Sequence, residues 1–269
     1  MDDRLKKDAS RATHEVASWV PPVARIGYAA KGAVYLLIGY IAAKAAFAAD
    51  SPKGATGALG ELLNEGGHGV VLLMGVGLLA HALWRFVEAA LDPEHRGQPH
   101  RVGVRLAYLG SGLVYGWLAL AAFKLSQGRG GGESGGEKSF AATLMAQPYG
   151  RWVVGAIGVA VIGYGIHQVI LGFRGDVTKD FGIRDPDKHR AVVAIGRIGT
   201  AARGVVFGII GTFFIDAARH YNPKEAGGIQ DALGWLGQSW LLMAVALGLM
   251  AYGLLQFAKA WYRRIEAPR

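Results

Sequence analysis

The chain has no cysteine among its 269 residues. Disulfides, thiolate metal sites, iron–sulfur clusters and cysteine nucleophiles are excluded together, so any chemistry falls to oxygen, nitrogen or aromatic groups. Charge is also scarce: Asp, Glu, Lys and Arg make up 18% of the residues against 52% hydrophobic, and the mean hydropathy is +0.25. A soluble domain carries about 25% charged residues. Proline is limited to 9 positions while glycine reaches 41, with no G-X-Y period, which excludes collagen and low-complexity disorder. The glycines therefore belong inside ordered structure, in a chain composed for a membrane.

Six apolar stretches are long enough to cross a hydrocarbon core of roughly 30 Å, which takes about 20 helical residues. They run over 26–48, 69–90, 106–125, 152–173, 198–218 and 240–262. The segment before the first is too long and too charged for the n-region of a signal peptide and shows no cleavage-like site, so the first stretch is expected to stay in the mature protein. Six spans put both termini on one side. Eighteen Lys and Arg flank the spans on that side and six on the other, and the positive-inside rule then places the termini of this multi-pass chain in the cytoplasm. The same distribution assigns most of the net charge of +9 to orientation and to contact with anionic membrane lipids, not to nucleic acid. Residues 1–20 put Leu5, Ala9, Ala12, Val16 and Trp19 on one helical face, the pattern of an amphipathic helix on the inner leaflet, with a solvated tail as the alternative. The glycine-rich stretch 127–138 reads as a flexible linker on the outer side.

The spans repeat in pairs. The first span of each pair reads ARIGYAAKGAVYLLIG from Ala24, VRLAYLGSGLVYGWLA from Val104 and GRIGTAARGVVFGIIG from Gly196, bringing Arg25, Arg105 and Arg197 into register. Three residues on stand Tyr28, Tyr108 and Thr200; seven on, Gly32, Gly112 and Gly204; ten on, Tyr35, Tyr115 and Phe207; fourteen on, Gly39, Ala119 and Gly211. In the second spans His81, Tyr164 and Tyr252 coincide, as do Arg85, Gln168 and Gln256. Between the two spans each repeat carries a short half-polar piece, from Ala58, Ser139 and Ile229, that reads as an interfacial helix. Two spans per unit give the three hairpins one orientation, so an all-α bundle with a pseudo-threefold axis along the membrane normal is expected. Its parts are an N-terminal segment 1–20 and repeats at 21–95, 100–175 and 193–263, in a single membrane domain.

This thrice-repeated hairpin, with Arg-x-(Gly/Ala)-Tyr…Gly…Tyr in one helix and (Gly/Ala)-Tyr-Gly…Gln in the next, resembles the bacterial membrane proteins grouped as the domain of unknown function 1206. The resemblance spans residues 20–262 and implies six transmembrane helices in three repeats, with no activity attached. The first repeat departs from the pattern, with His81 and Arg85 in place of Tyr and Gln. Mitochondrial carriers also use three helix pairs, but their P-x-(D/E)-x-x-(K/R) signature is absent, so that likeness is architectural only.

Glycine at fixed offsets lets helix backbones approach in lipid, where packing and not the hydrophobic effect drives association. Gly32, Gly112, Gly204, Gly39 and Gly211 are therefore read as helix contacts. Ionisable groups at membrane depth are costly and face the bundle interior or water. On that ground Tyr28, Tyr108, His81, Arg85, His167, Gln168, Tyr252 and Gln256 are expected to line a basic, aromatic vestibule open to the cytoplasm, with Lys31 and Arg203 near its rim and Arg85 paired with Glu88. The alternative is a sealed bundle whose polar groups satisfy one another. No HExxH, GxSxG or Walker-type loop occurs, so catalysis is not expected. His81 and His167 stand at non-equivalent repeat positions, which favours hydrogen-bonding roles over a bis-His haem, and no cofactor or metal is expected. Two functions fit: a binding or transport module for a small anion or lipid headgroup, and a non-catalytic scaffold, as a homo-oligomer or as the partner of another membrane protein.

Overall fold

The computed structural model describes residues 2–48, 51–91, 102–129, 136–175, 177–178, 181–237 and 239–263, with backbone alone for 2–20 and 91. It is all-α: α1 (Asp2–Ala48), α2 (Ala55–Leu91), α3 (Val102–Ser126), α4 (Gly136–Met145), α5 (Gly150–Arg174), α6 (Pro186–His220), α7 (Ile229–Trp235) and α8 (Trp240–Tyr262). Six of these, α1, α2, α3, α5, α6 and α8, are long and apolar enough to cross a membrane, so the chain is a multi-pass membrane protein. Their outward surfaces agree with lipid as the surrounding medium. Leu113, Val114, Ile166 and Leu247 stand more than half exposed. Exposed aromatics gather where α5, α6, α7 and α8 end or begin, at Tyr149, Trp152, Tyr221, Trp235 and Trp240, as ring side chains do at a headgroup boundary. That end of the bundle is called the loop face below, and the opposite end the terminal face.

The helices run longer than their apolar cores. α1 continues unbroken from residue 2 through Pro21 and Pro22, so the N-terminal segment is helical; its expected apolar face belongs to side chains outside the described residues. α6 starts at Pro186, twelve residues before the apolar stretch. Proline at the first helical position needs no N–H partner, and the Asp185 carboxylate accepts from the N–H groups of Asp187 at 3.0 Å and Lys188 at 3.3 Å. In α2 the half-polar piece and the span form one element broken at Gly67, whose φ of 75° is a left-handed conformation that glycine adopts without strain. α4 and α7 are the matching short helices of repeats 2 and 3. Of the linker 127–138, residues 130–135 lie outside the description.

The tightest helix pairs join one repeat to the next: α2 with α3, α5 with α6, and α8 back to α1. Glycine makes these approaches close. A Cβ on Gly32 would stand 2.9 Å from the Gly253 carbonyl oxygen, and one on Gly253 would stand 2.8 Å from that of Gly32. Gly204 and Gly165 face each other in the same way between α6 and α5. Gly112 instead receives the Phe86 ring of α2, the counterpart of Phe257, which covers Gly32. Gly39 lies against Met250 and Gly211 against Ile162, again equivalent residues. The bundle thus follows the sequence repeat by packing each first helix onto the second helix of the repeat before it.

Candidate functional site

Within each first helix the residues three, six and ten positions past the repeated arginine share one side of the helix, and that side turns toward the axis. At position ten the aromatic residue meets the second helix of the preceding repeat. Tyr35 lies edge-to-face on Tyr252 at 4.8 Å between centroids, Tyr115 on His81 at 4.6 Å, and Phe207 on Tyr164 at 5.4 Å. Six residues from six helices therefore form one layer with threefold character.

Two cations enter this layer from position six, which holds Lys31, Ser111 and Arg203 in the three repeats. Arg203 donates from Nε to the Tyr35 hydroxyl at 3.0 Å and from Nη1 to the Tyr164 hydroxyl at 2.9 Å. Its guanidinium carbon lies 4.4 Å from the Phe207 ring centre and 5.0 Å from that of Tyr252. The Lys31 ammonium lies 5.0 Å from the Tyr115 ring and 5.6 Å from the Tyr252 ring, so both cations share Tyr252. Lys31 is 2% exposed and Arg203 7%. Both therefore sit inside the bundle and not at a rim: six residues past the arginine is about 9 Å deeper along a helix. Among the described residues no carboxylate pairs with either, and Lys31 makes no hydrogen bond.

A second layer lies one turn nearer the terminal face. Arg85 Nη1 donates to Glu88 Oε2 at 2.7 Å, and Arg263 Nη2 stands 4.0 Å from Glu88 Oε1. Trp84 Nε1 donates to the Tyr28 hydroxyl at 3.1 Å, which also accepts from Arg263. The Arg85 guanidinium covers the Tyr108 ring at 5.2 Å. The end of α8 is itself held by the α5–α6 loop, through Gly182 N–H donating to Tyr262 O at 2.8 Å. This network ties repeat 1 to the end of repeat 3 and closes their terminal side. His81, with no exposed surface, joins the layers by touching Tyr28 at 5.5 Å and Tyr115 at 4.6 Å between centroids.

Of the residues singled out in the sequence, Lys31, His81, Tyr252 and Arg203 come together in the axial layer, and Tyr28, Arg85 and Tyr108 in the network beneath it. Gln168 and Gln256 are buried in the bundle. His167 does not join them: it is exposed, because Gln168 and not its neighbour takes the register of Arg85 and Gln256. Arg25, Arg105 and Arg197 are exposed at the terminal ends of the apolar stretches of their helices, as snorkelling side chains are. Tyr35, Tyr115, Tyr164, Trp84 and Arg263 complete the two layers without having been singled out as ligand-facing. The ten-residue aromatic offset was the signal for Tyr35 and Tyr115, and the register with His81 and Tyr252 the signal for Tyr164; Trp84 and Arg263 carried none. Several interior polar atoms have no hydrogen-bond partner: both ring nitrogens of His81, Nε2 of Gln256, Nε of Arg85 and Oε1 of Glu88. No groups of metal-ligating side chains occur among the described residues.

The model of the family described as Domain of Unknown Function (DUF1206) matches the chain three times, over 26–92, 106–175 and 198–263. The chain belongs to this family. The uncharacterized protein YxxB of Bacillus subtilis (strain 168) is 31% identical over 265 residues, covering 95% of this chain and 96% of that protein. No solved structure matches. Each match starts inside the first helix of a pair and ends one residue past the second, at 92, 175 and 263, so the DUF1206 unit is the hairpin, and the axial layer is assembled from all three units.

Proposed function

We propose that this DUF1206 protein binds an anionic group inside the membrane, at Lys31 and Arg203. The observation that carries the reading is a pair of cations held at 2% and 7% exposure with no carboxylate of the described residues beside them. Burying an unpaired charge costs several kcal/mol even after the interior relaxes. Aromatic faces return on the order of 2 kcal/mol each when desolvated. Lys31 has two such faces and no hydrogen bond, so its burial is under-compensated unless negative charge joins it. The unpartnered nitrogens of His81 and Gln256 add donors in the same interior.

The reading is of binding and not catalysis, because Glu88, the one buried carboxylate among the described residues, is already committed to Arg85 and Arg263. The excess of Lys and Arg on the terminal face supports cytoplasmic termini in a bacterial inner membrane. The test is thermal unfolding of purified protein against phosphate, sulfate, a dicarboxylate, chloride and a neutral polyol. A multivalent oxyanion is expected to raise the unfolding temperature and the polyol to leave it unchanged. Arg203→Gln is expected to weaken the effective anion by about tenfold or more, the loss of one charge-assisted contact of roughly 1.5–3 kcal/mol. Equal shifts in wild type and Arg203→Gln would refute the site.

A further inference from the structure

The second repeat departs from the other two in how its helices stand. α1 packs on α2 and α6 on α8, so repeats 1 and 3 are closed hairpins, whereas α3 and α5 scarcely meet. The effect shows at the three equivalent positions of the second helices. His81 is 0% exposed and Tyr252 5%, but Tyr164 is 37% exposed. Its hydroxyl still accepts from buried Arg203, so one side chain reaches from the outer surface of the bundle to the central cation.

Helix geometry identifies what lines this slot. On the terminal half α3 turns Ala107, Ser111 and Val114 toward it, and α5 turns Ala160, Tyr164 and His167. All are exposed except half-buried Ser111. On the loop-face half the same side of α3 carries Leu118 and Leu125, both buried. The slot therefore opens sideways, in the half of the span nearer the terminal face, at the depth of lipid chains. Ser111 occupies the repeat position that carries Lys31 and Arg203 elsewhere, so a short side chain stands on the one approach where a third cation would otherwise project. From the terminal face, by contrast, the network of Tyr28, Trp84, Arg85, Glu88 and Arg263 lies across repeats 1 and 3.

We propose that the slot between α3 and α5 is a lateral portal, through which an anionic membrane lipid sets its headgroup against Arg203 and Lys31 while its acyl chains remain in the bilayer beside Tyr164 and His167. The proposal rests on the anion-binding reading above and adds the source of the anion and its route. Charge complementarity selects a lipid over a second copy of this chain. The slot ends at two cations without counter-ions among the described residues, whereas α3 and α5 contain no Asp or Glu between them, so a copy docked through these helices would bring no negative charge. An anionic lipid supplies that charge and an apolar body of suitable depth in one molecule.

The absence of native cysteine makes the route testable in the full chain. Val114→Cys and His167→Cys are introduced together and bridged after folding with a short bis-maleimide, which closes the slot without touching the cations. Dioleoyl phosphatidylglycerol and dioleoyl phosphatidylcholine are added to the detergent-purified protein and retention is read by native mass spectrometry; inorganic phosphate is followed by thermal shift. The expected result is one phosphatidylglycerol per chain, at least tenfold preferred over phosphatidylcholine, lost in the bridged protein and in Arg203→Gln. Phosphate binding is expected to survive the bridge and be lost in Arg203→Gln, with Lys31→Gln as a second variant should Arg203→Gln not fold. Phosphate binding without lipid binding, or lipid retained equally after bridging, overturns the portal and leaves the anion site standing. Failure of wild type to bind either probe overturns both. Efficient cross-linking of Val114→Cys between copies in native membranes shows the slot covered by a second chain and also overturns the portal.

Discussion

Lys31 and Glu88 are buried charges with opposite circumstances, and their neutral variants are expected to move stability in opposite directions. Lys31 has two aromatic faces and no ion pair among the described residues, whereas Glu88 is held by Arg85 and Arg263. Replacing buried ionic groups by well-packed apolar chains of similar volume is often neutral or stabilising, by up to about 4 kcal/mol for a whole pair. Lys31→Met is accordingly expected to raise the unfolding temperature of the anion-free protein while abolishing the anion-induced shift; a lower temperature would show the lysine to be fully compensated by its rings. Removing one member of a buried pair costs about 3–5 kcal/mol, because its partner stays behind uncompensated. Glu88→Gln is thus expected to lower stability and loosen the end of α8, read by thermal unfolding and by hydrogen exchange near Tyr262. The sequence shows Lys31 and Arg203 plainly enough as cations within apolar stretches. Their depth is set not at a rim but by the six-residue offset from the repeated arginine, which with its rotation carries both side chains inward to the aromatic layer.

At the scale of elements, the glycines divide into those where a side chain would collide with a neighbouring helix and those where it would meet open space, although they look alike in sequence. Gly204 and Gly208 are one turn apart on α6. A Cβ on Gly204 would stand 2.6 Å from the Gly165 carbonyl oxygen, while nothing lies within 4 Å of one on Gly208. Gly204→Val is expected to push α5 and α6 apart at about 1–3 kcal/mol, the range for overpacking. Gly208→Ala is expected to be neutral or to stabilise by up to about 1 kcal/mol through helix propensity. Equal effects in thermal unfolding would deny that the α5–α6 approach depends on Gly204. The start of α6 carries a pH dependence of its own. The Asp185 carboxyl lies below the usual carboxylate range because the backbone N–H groups of Lys188 and Asp187 donate to it. Its cap therefore contributes stability above the ordinary carboxylate pKa and loses it as pH falls through the depressed folded value. Protection of residues 187–192 from hydrogen exchange, taken relative to the intrinsic rate at each pH, should fall in acid, and Asp185→Asn, which caps without a titrating charge, should remove that pH dependence. Proline followed by an acidic residue after Asp185 made this start readable, but hydropathy alone placed the helix twelve residues too late.

At the scale of the molecule, the number of spans, their pairing and their common orientation were legible because a repeat of two helices leaves few ways to arrange six. Which helices pack tightest was not, since a hairpin repeat suggests closure within each hairpin. The structure instead closes each first helix on the second helix of the preceding repeat, and it leaves repeat 2 open between α3 and α5. That opening follows from no single residue; it is the place where a ring of six helices is interrupted. A consequence is that a break in the chain between α3 and α4 severs the connection across the one helix pair that barely packs. Fragments 1–129 and 136–269, produced together, retain α1 on α2 and α2 on α3 in one piece and α5 on α6 and α6 on α8 in the other. Their joint is α1 on α8, where Gly32 and Gly253 approach reciprocally. The fragments are expected to co-purify in detergent and to unfold within a few degrees of the intact chain. Placing Leu at Gly253, which drives a side chain into the Gly32 carbonyl and Leu36, is expected to reduce co-purification sharply while the intact chain carrying the same change still folds, because without a chain connection the fragments have only that joint and the polar contacts of Arg203 with Tyr35 and of Arg263 with Tyr28 and Glu88 to hold them. Fragments that associate equally well with and without Gly253→Leu would show that the ring is held elsewhere, and that α3 and α5 pack more closely than the open second repeat allows.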